Sequence, residues 1–429
     1  MHRFARIGIV GLLLLTTFLS YSLPERASAD SGADFEPNQV VVKLNPLVDV
    51  SIDAINQAYG TTTLDVLYNH RDIFLLQTPA GADPEALVQL MSADPNLEWA
   101  ELNFINENPE GGSSDRIYGW GGYDSSLYRG QESTRALQLD EAHQYSRGSG
   151  ALIAILDTGV QLDHPELAGS LDILGFDFVG SDPFPQDEAN GQDDDGDGWV
   201  DEGYGHGTHV TGIAHLVAPD ARLMPLRVLD SDGRGNDFRT ANAILYAAYH
   251  GAGVINLSLG TLQPSKLLAG AVKEAAGMGA LVVAAAGNLN SDQNQYPAAQ
   301  ACAIAVTSVD DQWRKSSFAN FGAWVDLVVT GEQIYSTFPV DAYAAWSGTS
   351  MSTPFAAGQA ALLRSAGPQL TLEQLGLLIG GTASSVDHKN PAYRGRLGQG
   401  QIDILKSLEN QASGARLPSH RNVLADCSP

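Results

Sequence analysis

The sequence predicts an α/β protein whose main part is a three-layer domain on a mostly parallel sheet, preceded by a small α+β unit. Two observations carry this. From Ala151 onward, continuous apolar runs of strand length alternate with segments of helix length, the order of βαβ units with strands buried on both faces. Ahead of them, residues 36–106 run strand, helix, strand, strand, helix, strand.

In the N-terminal unit the strand-like runs are residues 40–44, 62–68, 73–78 and 97–103, with helices over 52–59 and 84–93. This β-α-β-β-α-β order is the ferredoxin-like pattern. Asp83-Pro84 opens the second helix as a cap followed by a first-turn proline. Residues 107–135 lose periodicity and gain Gly, Ser, Asp and Tyr, which reads as a linker open to proteolytic nicking. In the main domain, residues 136–410, the strand-length runs are 151–156, 221–228, 254–257, 280–286, 303–309 and 325–328. Helices are expected over 137–145, 207–214, 240–250, 267–278, 353–365 and 372–379, and residues 411–429 form a tail.

The chain has 50 acidic against 24 basic residues, a net charge of −26, which argues against a nucleic-acid partner because phosphate contacts need clustered Lys and Arg. Residues 1–29 read as an export signal: His2, Arg3 and Arg6 are followed by an apolar run from Ile7 to Leu19 and a small-residue cleavage site at Ala27-Ser28-Ala29. That run is shorter than the roughly 20 residues needed to span a bilayer, so a secreted protein without a membrane anchor is expected. Cys302 and Cys427 fit no metal-ligand spacing; an oxidising compartment would allow them to pair, and their spacing does not decide it.

Four segments place a polar residue where a strand or loop meets a helix. Asp157, in Ala154-Ile155-Leu156-Asp157-Thr158-Gly159, follows an apolar strand, where a carboxylate can hold an imidazole in the tautomer needed for base catalysis. His206, in Gly205-His206-Gly207-Thr208-His209, opens a helix after a glycine-rich loop and is the candidate base. Ser350, in Ser347-Gly348-Thr349-Ser350-Met351-Ser352-Thr353-Pro354, starts a helix whose free N–H groups favour an oxyanion, with Pro354 expected in the first turn. Asn288 ends the buried run Val282-Val283-Ala284-Ala285-Ala286-Gly287-Asn288, where a polar amide has no packing role and can donate to an oxyanion. Each of these residues alone reads as a cap or turn. Zinc on His206, His209 and His215 lacks the HExxH pattern.

The ordered set Asp-Thr-Gly, His-Gly-Thr-His, Ser-Leu-Gly, Ala-Ala-Gly-Asn and Gly-Thr-Ser-Met resembles the subtilisin-like serine proteases, or subtilases, over roughly Leu137 to Ile404. The chain departs from the usual pattern at Ser352 and Phe355, neither of which supplies a catalytic group. The resemblance implies a monomeric serine endopeptidase acting on polypeptides, with Asp157, His206 and Ser350 as triad and Asn288 in the oxyanion hole. It further implies that Gly233 and Gly235 on one side, and Ser258, Leu259 and Gly260 with Gly287 on the other, pair with an extended substrate backbone. Leu289 to Tyr296 resembles the wall of the first specificity pocket. Residues 36–106 resemble the family's prodomain, an intramolecular inhibitor and folding aid cut away after about Asn103. Readings from other classes are a catalytically silent calcium-dependent binding protein and an acyl transferase of the same fold.

Between Asn190 and Glu202, Asp193, Asp195, Asp197 and Asp201 set carboxylates at alternating positions around a glycine turn, a spacing at which oxygen ligands wrap a hard cation; a solvated acidic loop is the alternative. The twelfth position counted from Asp193 is Tyr204 and not the glutamate of an EF-hand, so the match is to shorter calcium loops. Structural calcium is expected here, ordering the segment that delivers His206.

Overall fold

A computed structural model describes residues 34–110, 119–416 and 419–427. The export signal read at residues 1–29 lies outside the described residues. The N-terminal unit holds β1 (Phe35–Leu44), α1 (Ile52–Tyr59), β2 (Thr62–Val66), β3 (Ile73–Gln77), α2 (Pro84–Met91) and β4 (Leu97–Glu107). Its strands pair antiparallel in the order β2-β3-β1-β4, and Val40, Val42, Ile55, Leu76, Leu87 and Met91 close a small core. Asp83 caps α2 by accepting from Glu85 N, with Pro84 in the first turn as expected.

The chain continues with β5 (Gly119–Gly122), α3 (Ser126–Gly130), α4 (Glu132–Ala136), α5 (Leu139–Ala142), β6 (Leu152–Asp157), β7 (Phe176–Asp177), α6 (His206–Val217), β8 (Arg222–Arg227), β9 (Arg234–Asn236), α7 (Asp237–Tyr249) and β10 (Val254–Leu257). Then follow α8 (Lys266–Gly277), β11 (Leu281–Ala285), β12 (Ala303–Val309), β13 (Leu327–Thr330), β14 (Ile334–Phe338), β15 (Ala342–Trp346), α9 (Thr349–Ala366), α10 (Leu372–Thr382) and α11 (Ile404–Ser413).

Seven strands form a parallel sheet in the order β13-β12-β11-β10-β6-β8-β7. Alternation along each strand sends its side chains to two cores. On β6, Ile153 and Ile155 pack with Val210 and Ile213 of α6 and with Phe355 and Ala357 of α9. Ala154 and Leu156 face the other way, onto Ile244 of α7 and Leu268 and Val272 of α8. Both faces are covered, which is why the strands read as unbroken apolar runs.

Two boundaries differ from the sequence reading. Residues 119–142, expected as linker and one helix, are folded: β5 pairs with β15, and α3 to α5 lie on the main domain, with Tyr128 buried and donating its hydroxyl to Gly212 O at 2.7 Å. These pieces are four or five residues long, too short for periodicity to register. Residues 404–427, partly read as tail, hold α11, the buried Leu424 and a Cys302–Cys427 disulfide that ties the end of the chain to the start of β12.

Candidate active site

The site sits at the C-terminal edge of the sheet, where open α/β sheets bind ligands. Asp157 is the last residue of β6, while Ser258–Gly260 and Asn288 follow β10 and β11. His206 and Ser350 stand in the first turns of α6 and α9. Gly205 takes φ 88° to turn the chain into α6, a left-handed conformation natural to glycine. Pro354 is the sixth residue of α9 and not in its first turn. It lacks the N–H that would bond Ser350 O, and the Ser258 hydroxyl donates to that carbonyl at 3.1 Å instead.

Asp157, His206, Ser350 and Asn288 are all buried and converge. His206 Nδ1 is 2.7 Å from Asp157 Oδ1, which also accepts from Thr158 N at 2.8 Å. The Asn288 carbonyl oxygen accepts from Thr349 N and Oγ1, both at 3.0 Å, so its amide N–H group is turned toward the cleft. Gly287 N donates to Thr349 Oγ1 at 3.1 Å and completes this brace.

An unforeseen residue occupies the centre. Glu110, itself buried, accepts from Ser350 Oγ at 2.7 Å and lies 3.1 Å from His206 Nε2 through the same Oε2. Its Oε1 accepts from Asn288 Nδ2 at 3.0 Å. Burial alone would lower the His206 pKa, but the charges and hydrogen bonds of Asp157 and Glu110 outweigh it and raise the imidazole to about 10. His206 is therefore an imidazolium here, donating to a carboxylate on each side.

The chain leading to Glu110 is sandwiched between the two predicted substrate edges. Asn106 pairs with Gly235 and Glu107 with Arg234 in the β4–β9 ladder, and Asn108 N donates to Gly233 O at 3.0 Å. On the other side Glu107 and Gly260 exchange both backbone hydrogen bonds, at 3.0 and 2.9 Å. Ser258 O accepts from Ser350 Oγ at 3.3 Å, and Leu259 is fully buried. The Gln295 side chain lies across Gly260 and Gly287; a Cβ on Gly287 would fall 1.9 Å from its amide oxygen.

Of the four aspartates expected to face a cation, three cluster. Asp193, Asp195 and Asp197 bring carboxylate oxygens within 4.8 Å of one another. Asp201 lies outside that cluster, its two oxygens accepting from Asn190 N and Gly191 N at 2.7 and 2.9 Å and closing the base of the loop. The loop is tied to the predicted substrate edge as well, because Asp232 accepts from the backbone N–H groups of Asp194 and Asp201.

A second unforeseen residue is Asp187, buried behind the site. It accepts from Gly205 N, Thr208 N and Oγ1, and Thr158 Oγ1, and so joins the turns that carry His206 and Asp157. Burial raises its carboxyl to about 6 against those hydrogen bonds. Nothing in Phe184-Pro185-Gln186-Asp187 marks it in sequence. His209 is held neutral, lowered to about 3 by burial and by the His206 charge, with Nε2 between the carbonyls of Ile334 and Ala344.

A serine hydroxyl, an imidazole backed by a carboxylate, and an amide donor that meet on one buried carboxylate make up a serine hydrolase site on a parallel α/β fold. The chain belongs to the subtilase family, which it matches over residues 148–400, and it is a serine endopeptidase. Residues 23–103 match the fervidolysin N-terminal prodomain. The chain is 44% identical to thermitase of Thermoactinomyces vulgaris over 247 residues, 55% of this chain and 83% of thermitase. It is 40% identical to a thermophilic serine proteinase of Bacillus sp. strain AK1 over 294 residues, 66% of this chain and 67% of that one. Among solved structures, fervidolysin of Fervidobacterium pennivorans superposes with a TM-score of 0.72 at 22% identity, covering 91% of this chain and 62% of fervidolysin, a likeness of fold.

Proposed function

We propose that this chain is a secreted, self-processing endopeptidase in which Ser350 is the nucleophile, His206 the general base, Asp157 its orienting partner, and Asn288 with the Ser350 N–H the oxyanion hole. In the open enzyme His206 Nε2 takes the Ser350 proton as Oγ attacks the peptide carbonyl, then returns it to the leaving amine; water repeats the sequence on the acyl-enzyme. Asp157 stays ionised and keeps Nδ1 protonated. Substrate binds as an added strand between Gly233–Gly235 and Ser258–Gly260, so recognition rests on the main chain and extends to many unfolded polypeptides.

The observation that carries this reading is the convergence of Ser350 Oγ, His206 Nε2 and Asn288 Nδ2 on one carboxylate at 2.7 to 3.1 Å, the reach required of a nucleophile, a proton carrier and an oxyanion donor that act on one carbonyl group. Export is supported by the N-terminal sequence. Among the described residues no helix is long and apolar enough to cross a membrane. Asp193, Asp195 and Asp197 supply hard oxygen ligands suited to structural calcium, which would neutralise their mutual repulsion and order the loop ahead of His206.

A serine-directed phosphonylating reagent and a peptide substrate test the reading together. Labelling confined to Ser350, with new amino and carboxyl termini in the peptide, is expected. Joined peptide ends favour acyl transfer, and a mature enzyme that shows no labelling and no turnover contradicts the assignment.

A further inference from the structure

In the antiparallel ladder with Glu107 opposite Gly260, position 109 falls opposite Ser258. A peptide continuing in that register would donate its next backbone N–H to Ser258 O. Residue 109 is proline, which has no N–H to give. The ladder stops, Ser258 O is left 3.3 Å from Ser350 Oγ, and the following residue sends a side chain into the catalytic centre, where it takes the Ser350 proton at 2.7 Å. The Glu110 carboxylate then binds the three groups that the proposed mechanism assigns to attack, proton transfer and oxyanion stabilisation. Its fit is close: a Cβ on Gly348 would sit 1.8 Å from Glu110 Oε1.

From this, and resting on the roles proposed above, we infer that the oxyanion site is a carboxylate-binding site, and that Asn108-Pro109-Glu110 fills it in cis as a latch. The segment enters the cleft as a substrate would but offers proline and a side-chain carboxylate where a scissile carbonyl belongs. Two effects silence the enzyme. The Ser350 proton is committed to Glu110, and His206 is held as an imidazolium that cannot accept a proton. Self-cleavage requires Glu110 to leave first, so its hold on the site sets the rate of activation.

The test uses the purified full-length chain and its Glu110→Gln, Glu110→Ala and Pro109→Ala variants. The rate of prodomain loss is followed on denaturing gels, and the rate of Ser350 phosphonylation is measured before that loss. Removing a hydrogen-bonded charge contact of this kind should speed both rates by about 10-fold or more in Glu110→Ala, with Glu110→Gln between it and the wild type. Pro109→Ala, which restores an N–H opposite Ser258, is expected to change the processed terminus or accelerate processing. Each preparation should reach the same final stoichiometry of Ser350 labelling, which excludes misfolding as the cause. Glu110 variants that process and label at the wild-type rate, in a preparation whose mature enzyme is active, overturn the latch. A mature wild-type enzyme with no peptidase activity instead overturns the catalytic assignment.

Discussion

His206 lies between two carboxylates, and this arrangement makes the precursor sensitive to pH. Its pKa is raised from the ordinary 6.5 to about 10, with Asp157 and Glu110 as the charged groups facing it and neutral His209 nearby. The stabilisation is complete below 6.5 and is lost as pH rises through about 10. In a full-length Ser350→Ala chain, which does not process, the thermal midpoint should therefore fall over this range more steeply than when Glu110→Gln is added. Parallel curves would contradict the ion pair. In the mature enzyme, Asn288→Ala should lower kcat by about 10²–10³, the loss known for the corresponding donor in subtilisin, with KM little changed. Asp187→Ala leaves four buried donors without their acceptor and should cost about 2–5 kcal/mol of stability together with activity, since both turns it joins carry catalytic groups.

Among the secondary-structure elements, the acidic loop matters beyond its own length. Asp232 ties it to the proposed substrate edge that carries Gly233, and Asp187 fixes the loop that precedes His206. Chelation, or Asp195→Ala, should thus lower both the melting temperature and kcat/KM at limiting calcium; a chelator that changes neither shows the loop to be only a solvated acidic turn. The buried strands and long helices were legible in sequence because their apolar runs are continuous: β10 and β12 begin and end where the runs do. The antiparallel hairpin of β14 and β15 was not, since Ile334–Phe338 and Ala342–Trp346 lie buried against α6 and carry no clean alternation. Spacing alone does not show that Asp193, Asp195 and Asp197 cluster while Asp201 closes the base of the loop.

Over the whole molecule, the N-terminal unit is joined to the main domain by polar anchors that complete its helices. Glu101 accepts from Ser265 Oγ and from Lys266 N and Leu267 N, all at 2.9 Å, and Asn103 accepts from Phe238 N at 3.0 Å, so the unit supplies acceptors to the first turns of α8 and α7. The roles of Asp157, His206, Ser350 and Asn288 were suggested by motif order, but these anchors and Glu110 lie in segments whose residue types carry no signal until the two parts are docked. The Cys302–Cys427 disulfide closes a span of 125 residues, and Cys427→Ser should destabilise the chain by about 2–5 kcal/mol, read as a lower melting temperature under non-reducing conditions. The most direct measurement compares purified full-length wild type with Ser350→Ala. Wild type alone should lose its N-terminal unit and incorporate a serine-directed phosphonyl group at Ser350. If both chains lose that unit at the same rate and neither incorporates the reagent, Ser350 is not the nucleophile.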